Sequence, residues 1–124
     1  MPPSIPTIDV AEAERRLRED PDAPILLDVR EMDEFVAVRV PGAVLAPTST
    51  FMTRVDELPA DRPLLVMCHM GGRSAAVTGF LIRAGRSDVV NVAGGIEAWE
   101  QAGLPVRRGP VEPGEGDVPA ARSG

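Results

Sequence analysis

Short apolar runs alternate with amphipathic stretches along this chain, and this alternation constrains the fold more than any other feature. The apolar runs fall at residues 25–29, 43–45, 64–67 and 89–92. Continuous apolar runs are typical of parallel strands that are covered on both faces, and crossover helices usually join such strands. We therefore expect an α/β protein whose mostly parallel sheet carries helices on both faces.

The stretches between the runs have the spacing and the end signals of helices. Asp9 and Glu12 resemble a capping pair, and apolar residues then recur at helical spacing up to Glu19. This pattern predicts a first helix over 10–19. Further helices are expected near residues 35–38, 51–58, 76–84 and 96–102.

Length and charge exclude several classes of protein. A chain of 124 residues makes one domain, and its net charge of −6 argues against general binding of nucleic acid. The longest apolar run, residues 64–68, is far too short to span a membrane, and the opening residues lack the pattern of a signal peptide. We expect a soluble, cytoplasmic protein with neither nucleic acid nor membrane as a partner.

The last part of the chain differs in composition from the rest. Residues 107–124 are rich in Gly and Pro and show no apolar periodicity. Such a segment has little apolar surface to bury against a core. The expected organisation is one folded domain over residues 1–106, followed by a flexible tail over residues 107–124.

Cys68 is the candidate reactive residue. The chain has one Cys and one His, which excludes an internal disulfide and a zinc site, so no metal is expected. Cys68 follows a predicted strand and precedes the pair Gly71-Gly72, whose backbone can curl so that its N–H groups converge on an anion. Arg73 and the start of the next helix favour a nucleophilic thiolate. A buried, inert thiol is the alternative interpretation.

Four ordered motifs resemble those of the rhodanese, or thiosulfate sulfurtransferase, family. The segment CHMGGRS at residues 68–74 is similar to the family's active-site loop, and the resemblance extends over about residues 5–106. The other three motifs are LDVRE at 27–31, VPGA at 40–43 and NVAGGIEAW at 91–99. One departure is that Arg39 and Val40 stand where the family usually has His-Ile. The pair Gly94-Gly95 is interpreted as a simple connection between a strand and a helix.

The resemblance implies a three-layer fold with about five strands and a persulfide mechanism. Cys68 would be the catalytic sulfur carrier, and the substrate-binding loop would comprise His69, Met70, Gly71, Gly72 and Arg73. Asp28, Arg30 and Ser74 would support this site. The implied partners are a small sulfane-sulfur donor, a thiol or cyanide acceptor, or a sulfur-relay protein. No cofactor is implied.

The function and the roles of Arg73 and His69 stay open at this stage. Cysteine phosphatases and arsenate reductases share the arrangement of strand, cysteine loop and helix, although the phosphatase loops hold one residue more than the four between Cys68 and Arg73. A non-catalytic persulfide relay or partner-binding module is a second alternative. Arg73 either binds the donor or locks the loop to Asp28 or Glu34. His69 either serves as a general base or points to solvent.

Overall fold

A sheet of five parallel strands runs through residues 5–119, the part of the chain that the structure describes. The computed structural model gives the strands as β1 (Thr7–Ile8), β2 (Ile25–Asp28), β3 (Val44–Leu45), β4 (Leu64–Met67) and β5 (Val89–Val92). They lie in the order β1-β5-β4-β2-β3, so β4 is central. Its carboxyl end lies between those of β2 and β5, where open parallel sheets bind their ligands.

Five α-helices within the described residues cover the two faces of the sheet. They are α1 (Val10–Glu19), α2 (Met32–Ala37), α3 (Phe51–Arg54), α4 (Gly72–Arg83) and α5 (Gly95–Gln101). Helices α3 and α4 contribute to the core on one face, and α1, α2 and α5 contribute to the core on the other. These three layers confirm the predicted α/β class. No helix in the described part is long and apolar enough to cross a membrane.

Strand β4 is buried on both sides, which explains its unbroken apolar sequence. Leu64 and Val66 belong to the core under α3 and α4, whereas Leu65 and Met67 belong to the core under α1, α2 and α5. Side chains alternate between the faces of a strand. Cys68, the next residue, therefore falls on the same side as Val66 and joins the core under α3 and α4.

The first strand could not be located from local sequence. Strand β1 has two residues, Thr7 and Ile8, which pair in parallel with Asn91 and Val92 of β5. A two-residue strand shows no alternation and no apolar run, so only its pairing with β5 defines it. Helix α1 has the predicted bounds, and the Asp9 side chain caps it by accepting the Glu12 N–H at 2.8 Å.

Residues 107–119 pack against the body of the protein, which corrects the expectation of a flexible tail over this range. The backbones of Arg39 and Arg107 exchange two hydrogen bonds, and Leu45 N–H donates to the Gly116 carbonyl at 2.8 Å. The side chains of Val111 and Val118 pack against the two cores. Residues 120–124 of the predicted tail lie outside the described residues.

Arg39, the residue that departs from the family motif, explains why this segment is ordered. Its side chain is 1% exposed and binds both carboxylate oxygens of Glu115 at 2.8 Å. It also donates to the carbonyls of Gly109 and Pro110 at 2.8 and 3.2 Å. A buried guanidinium needs such partners. The segment is therefore held by polar contacts, which a search for apolar periodicity cannot detect.

We expect Glu115→Gln to lower the melting temperature by about 5 °C or more at neutral pH, because a buried Arg39 would lose its counter-charge. The Arg39 guanidinium holds the pKa of Glu115 at about 2, below its ordinary value of 4.5. The stabilisation is therefore present above about pH 4.5 and is lost as pH falls toward 2. Thermal unfolding of the variant should depend less on pH in this range.

Glu112→Gln is the matched control for this experiment. Glu112 is exposed, and its carboxylate lies 4.0 Å from the Arg107 guanidinium. Exposed pairs contribute little to stability, so this variant should melt close to the parent. Equal melting temperatures for the parent and Glu115→Gln would show that Arg39 does not depend on Glu115.

Candidate active site

The candidate site is built on the first residue after β4. Cys68 is 1% exposed, and the loop that follows it reaches the start of α4 at Gly72. Gly71 has a left-handed backbone with φ of +119°, a conformation that favours glycine. This turn directs the Gly71 N–H to Cys68 Sγ at 3.1 Å. The sulfur thus lies beneath a curled loop at the amino end of a helix of 12 residues.

The hydrogen bonds around Cys68 favour its thiolate form. Burial raises the pKa of this thiol, but hydrogen bonds from the Ser74 side chain and from the backbone N–H groups of Ser74, Gly71 and Met70 lower it. Together the hydrogen bonds outweigh burial, and the pKa of Cys68 is below its ordinary value of 9.0. Donors aimed at an anion stabilise it most where water is excluded. The site can therefore hold a nucleophilic sulfur.

Arg73 is bound to a carboxylate. Its two terminal nitrogens donate to the two oxygens of Glu34, each at 2.8 Å. The Arg73 hydrogen bonds hold the pKa of Glu34 at about 2. Of the two carboxylates proposed as partners of Arg73, the structure shows Glu34, and this ion pair connects the loop to α2. No hydrogen bond from Arg73 to Asp28 is found among the described residues.

Asp28 and Arg30 form a buried ion pair next to the site. The Arg30 guanidinium donates to both oxygens of Asp28, the shortest contact being 2.8 Å. It also donates to the carbonyl oxygens of Glu34 and Val38 at 3.2 and 2.6 Å. These contacts connect the end of β2 to α2 and thereby position Glu34 for Arg73.

The side chains of His69 and Met70 lie at the rim of the site. His69 is half exposed, and its Nε2 is 3.6 Å from a carboxylate oxygen of Glu97. Met70 is 64% exposed, and its backbone N–H is among the groups that lower the pKa of Cys68. The described residues contain no cluster of three side chains placed to hold a metal ion. The loop therefore offers backbone dipoles to the sulfur and side chains to solvent.

Gly94 and Gly95 have a role that sequence reasoning missed. The N–H groups of Ile96 and Glu97, at the start of α5, donate to the carbonyls of Cys68 and His69 at 2.9 and 3.1 Å. A Cβ atom on Gly95 would lie 2.2 Å from the Cys68 carbonyl oxygen. Gly95 and the start of α5 are therefore a platform for the loop that follows Cys68. The motif at 91–99 was the available signal, but nothing local in it indicates a contact with Cys68.

Ser74 and Asn91 complete the surroundings of the thiol. The Ser74 hydroxyl lies 2.6 Å from Asn91 Oδ1 and 3.1 Å from the Gly71 carbonyl. Both side chains are buried. Asn91 begins the motif at 91–99 but is not a predicted site residue, because a single polar residue in a strand does not by itself indicate a contact with Ser74.

Comparisons with known proteins agree with this geometry. The sequence model of the family described as 'Rhodanese-like domain' matches residues 9–102 of this chain. A sulfurtransferase of Allochromatium vinosum is 33% identical over 99 residues, which are 80% of this chain and 92% of that protein. The thiosulfate sulfurtransferase GlpE of Actinobacillus succinogenes is 35% identical over 82 residues, which are 66% of this chain and 74% of that protein.

A solved structure shows the same fold. The crystal structure of a rhodanese-related protein from Thermoplasma volcanium superposes with a TM-score of 0.74 at 31% identity. The match covers 82% of this chain and 97% of the other. The four motifs, the three-layer fold and the match over residues 9–102 lead to one conclusion: this chain belongs to the rhodanese-like family.

Proposed function

We propose that this protein is a sulfurtransferase that moves a sulfane sulfur from thiosulfate or a similar donor to a thiol or cyanide acceptor. The observation that carries the proposal is the environment of Cys68, a buried thiol with a lowered pKa at the end of the central strand. Relatives named sulfurtransferase and thiosulfate sulfurtransferase support the same activity. A free reactive thiol suits a reducing compartment, and we include the cytoplasm in this proposal.

In the first step, the Cys68 thiolate attacks the outer sulfur of thiosulfate. A new S–S bond forms to Cys68 as the bond between the two sulfurs of thiosulfate breaks, and sulfite leaves with the electron pair. The product is a Cys68 persulfide, whose outer sulfur carries the negative charge. The Gly71 N–H, which contacts Cys68 Sγ in the resting protein, and the Met70 N–H, which also lowers the pKa of this thiol, can stabilise charge on sulfur throughout this step.

In the second step, a thiolate or cyanide attacks the outer sulfur. The S–S bond of the persulfide breaks, Cys68 regains its thiolate, and the acceptor leaves as a persulfide or as thiocyanate. No external oxidant or reductant is needed, because the donor supplies the sulfur already at the oxidation level that the acceptor receives.

The burial of Cys68 supports a small or extended donor. A residue that is 1% exposed can be reached by the terminal atom of a slender ion but hardly by a branched group. The persulfide also places its outer sulfur about 2 Å beyond Cys68 Sγ. An acceptor can then react with this outer sulfur without reaching Cys68 Sγ itself.

The placement of Arg73 argues against the phosphatase alternative. Both of its terminal nitrogens bind Glu34, so they are not directed at a phosphate above the sulfur. We expect transfer from thiosulfate and negligible hydrolysis of aryl phosphates, measured with the same preparation. Efficient hydrolysis of aryl phosphates, with no Cys68 persulfide formed from any sulfane donor, would favour the phosphatase over the sulfurtransferase.

A persulfide relay differs from an enzyme only in its acceptor. A relay would form the Cys68 persulfide and hold it in the presence of cyanide or small thiols, whereas an enzyme would turn over with them. Steady-state turnover with cyanide therefore separates the two functions.

We expect Cys68→Ser to abolish sulfur transfer while the fold is kept, because a serine hydroxyl does not ionise at the pH at which a thiol with a lowered pKa does. The measurement is intact mass after incubation with thiosulfate: the parent should gain one sulfur atom, and the variant none. Circular dichroism verifies the fold. Transfer by the variant at the rate of the parent would rule out Cys68 as the sulfur carrier.

A second prediction tests the platform under the loop. In Gly95→Ala the added Cβ would lie 2.2 Å from the Cys68 carbonyl oxygen, so the loop must shift. A displacement of about 1 Å can cost roughly a hundredfold in rate, and we expect a loss of this order in persulfide formation. The rate of persulfide formation is measured by quenching the reaction at successive times and determining the intact mass of the protein.

Gly103→Ala is the matched control for Gly95→Ala. Gly103 follows the other end of α5 and has a φ of +73°, but an added Cβ would meet no atom within 4 Å. This variant has a similar left-handed backbone cost without touching the loop. It should form the persulfide like the parent. Equal losses of persulfide formation in both variants would show that strain of the left-handed backbone, and not contact with Cys68, is responsible.

A further inference from the structure

Asn91 is a buried amide in a strand that otherwise consists of valines. It is 6% exposed, and its neighbours in β5 are Val90 and Val92. Asn is disfavoured in strands, and a buried amide is costly unless it is hydrogen-bonded. The side-chain contact that the structure gives it is to the Ser74 hydroxyl, at 2.6 Å. The placement of Asn91 is therefore explained through Ser74.

The Ser74 hydroxyl is shared between more acceptors than it can serve. It lies 2.6 Å from Asn91 Oδ1 and 3.1 Å from the Gly71 carbonyl, and its interaction with Cys68 is one of those that lower the pKa of that thiol. A hydroxyl has one proton and can donate one strong hydrogen bond at a time. When Ser74 donates to Asn91, its proton is not directed at the sulfur.

Among these three partners, Asn91 can change from acceptor to donor. A half-turn of its carboxamide places Nδ2 where Oδ1 lies, with the backbone unchanged. Nδ2–H then donates to Ser74 Oγ, and the hydroxyl proton is left for Cys68. Hydrogen bonds in such a chain strengthen one another, most of all when the last acceptor is charged.

We propose that Asn91 is a positioning residue that donates to Ser74 when Cys68 is anionic and so directs the Ser74 hydroxyl at the sulfur. The inference deepens the proposed function and rests on it, since both the thiolate and the persulfide are anionic sulfurs. Asn91 acts only through Ser74. This dependence separates the proposal from a general structural role for a buried amide.

Other charged groups surround the thiol and stay unchanged in the test. Arg73 is paired with Glu34, and His69 lies beside Glu97 at the rim of the site. The charged and titratable groups on the neighbouring elements are Asp28, Arg30, Glu34, His69, Arg73 and Glu97. Because none of these is altered, a change in the pKa of Cys68 between variants reports on Asn91 and Ser74.

The test is a double-mutant cycle with the pKa of Cys68 as its readout. The chain has one Cys and no Tyr, so the ultraviolet absorbance of the thiolate can be titrated without interference from another thiol or from tyrosinate. Asn91→Ala should raise the pKa of Cys68 by about one unit, which is about tenfold less thiolate at pH values below both pKa values. In the Ser74→Ala background the same substitution should leave the pKa unchanged.

Thr78→Val is the matched control. The Thr78 hydroxyl is buried and donates to the backbone carbonyl of Ser74 at 2.8 Å, and not to its side chain. Its removal should lower the melting temperature without moving the pKa of Cys68. A shift like that of Asn91→Ala would overturn the proposal, because it would show that any loss of packing around Ser74 has this effect.

The proposal is also overturned if Asn91→Ala leaves the pKa of Cys68 unchanged, or raises it equally with and without Ser74. Should Asn91→Ala not fold, the nearly isosteric Asn91→Asp takes its place. A carboxylate accepts the Ser74 proton but cannot donate, so the pKa should rise more in the presence of Ser74 than in its absence; equal rises overturn the proposal.

These titrations contain no sulfur donor, so they are independent of turnover. If the cycle gives the expected coupling but the parent forms no persulfide from any sulfane donor, the proposed function fails while the role of Asn91 stands. If the parent transfers sulfur but the cycle shows no coupling, the role of Asn91 fails while the proposed function stands.

Discussion

The backbone orientation of the loop after β4 is the constraint on which the site depends. The carbonyls of Cys68 and His69 point to the start of α5, where two otherwise unpaired N–H groups bind them. With its carbonyls held on that side, the loop can turn its following N–H groups toward the sulfur. Gly71 and Gly95 make this possible, one through its left-handed turn and the other through the absence of a side chain.

Three arginine–carboxylate pairs hold the elements around this loop. Arg30–Asp28 connects β2 to α2, and Arg73–Glu34 connects α2 to α4. Arg39–Glu115 fastens the segment after residue 106 to the same side of the protein as Phe35 in α2. Arg73–Glu34 and Arg39–Glu115 join parts of the chain that are far apart in sequence, whereas Arg30 and Asp28 are two residues apart and Arg30 reaches α2 through the Glu34 carbonyl. The elements that carry and surround the Cys68 loop are therefore tied together by buried or part-buried ion pairs.

Some parts of the structure could not be predicted because their causes are not local. Strand β1 exists through its pairing with β5, and residues 107–119 are ordered through a buried Arg39 and backbone contacts. The Gly94-Gly95 pair has the sequence of an ordinary turn, and only the structure shows that Gly95 lies against the Cys68 carbonyl. In each case the stabilising partner lies far away in the chain, where neither periodicity nor composition can reveal it.

The sequence by itself determined the α/β class, four of the five strands and the position of the candidate reactive cysteine, because apolar periodicity and the glycine loop are local signals. Only the tertiary structure decided that Arg73 binds Glu34, that α5 supports the loop, and that Asn91 contacts Ser74. These are contacts between side chains or backbone groups on different elements. Their geometry depends on how the layers pack, and packing is a property of the whole chain.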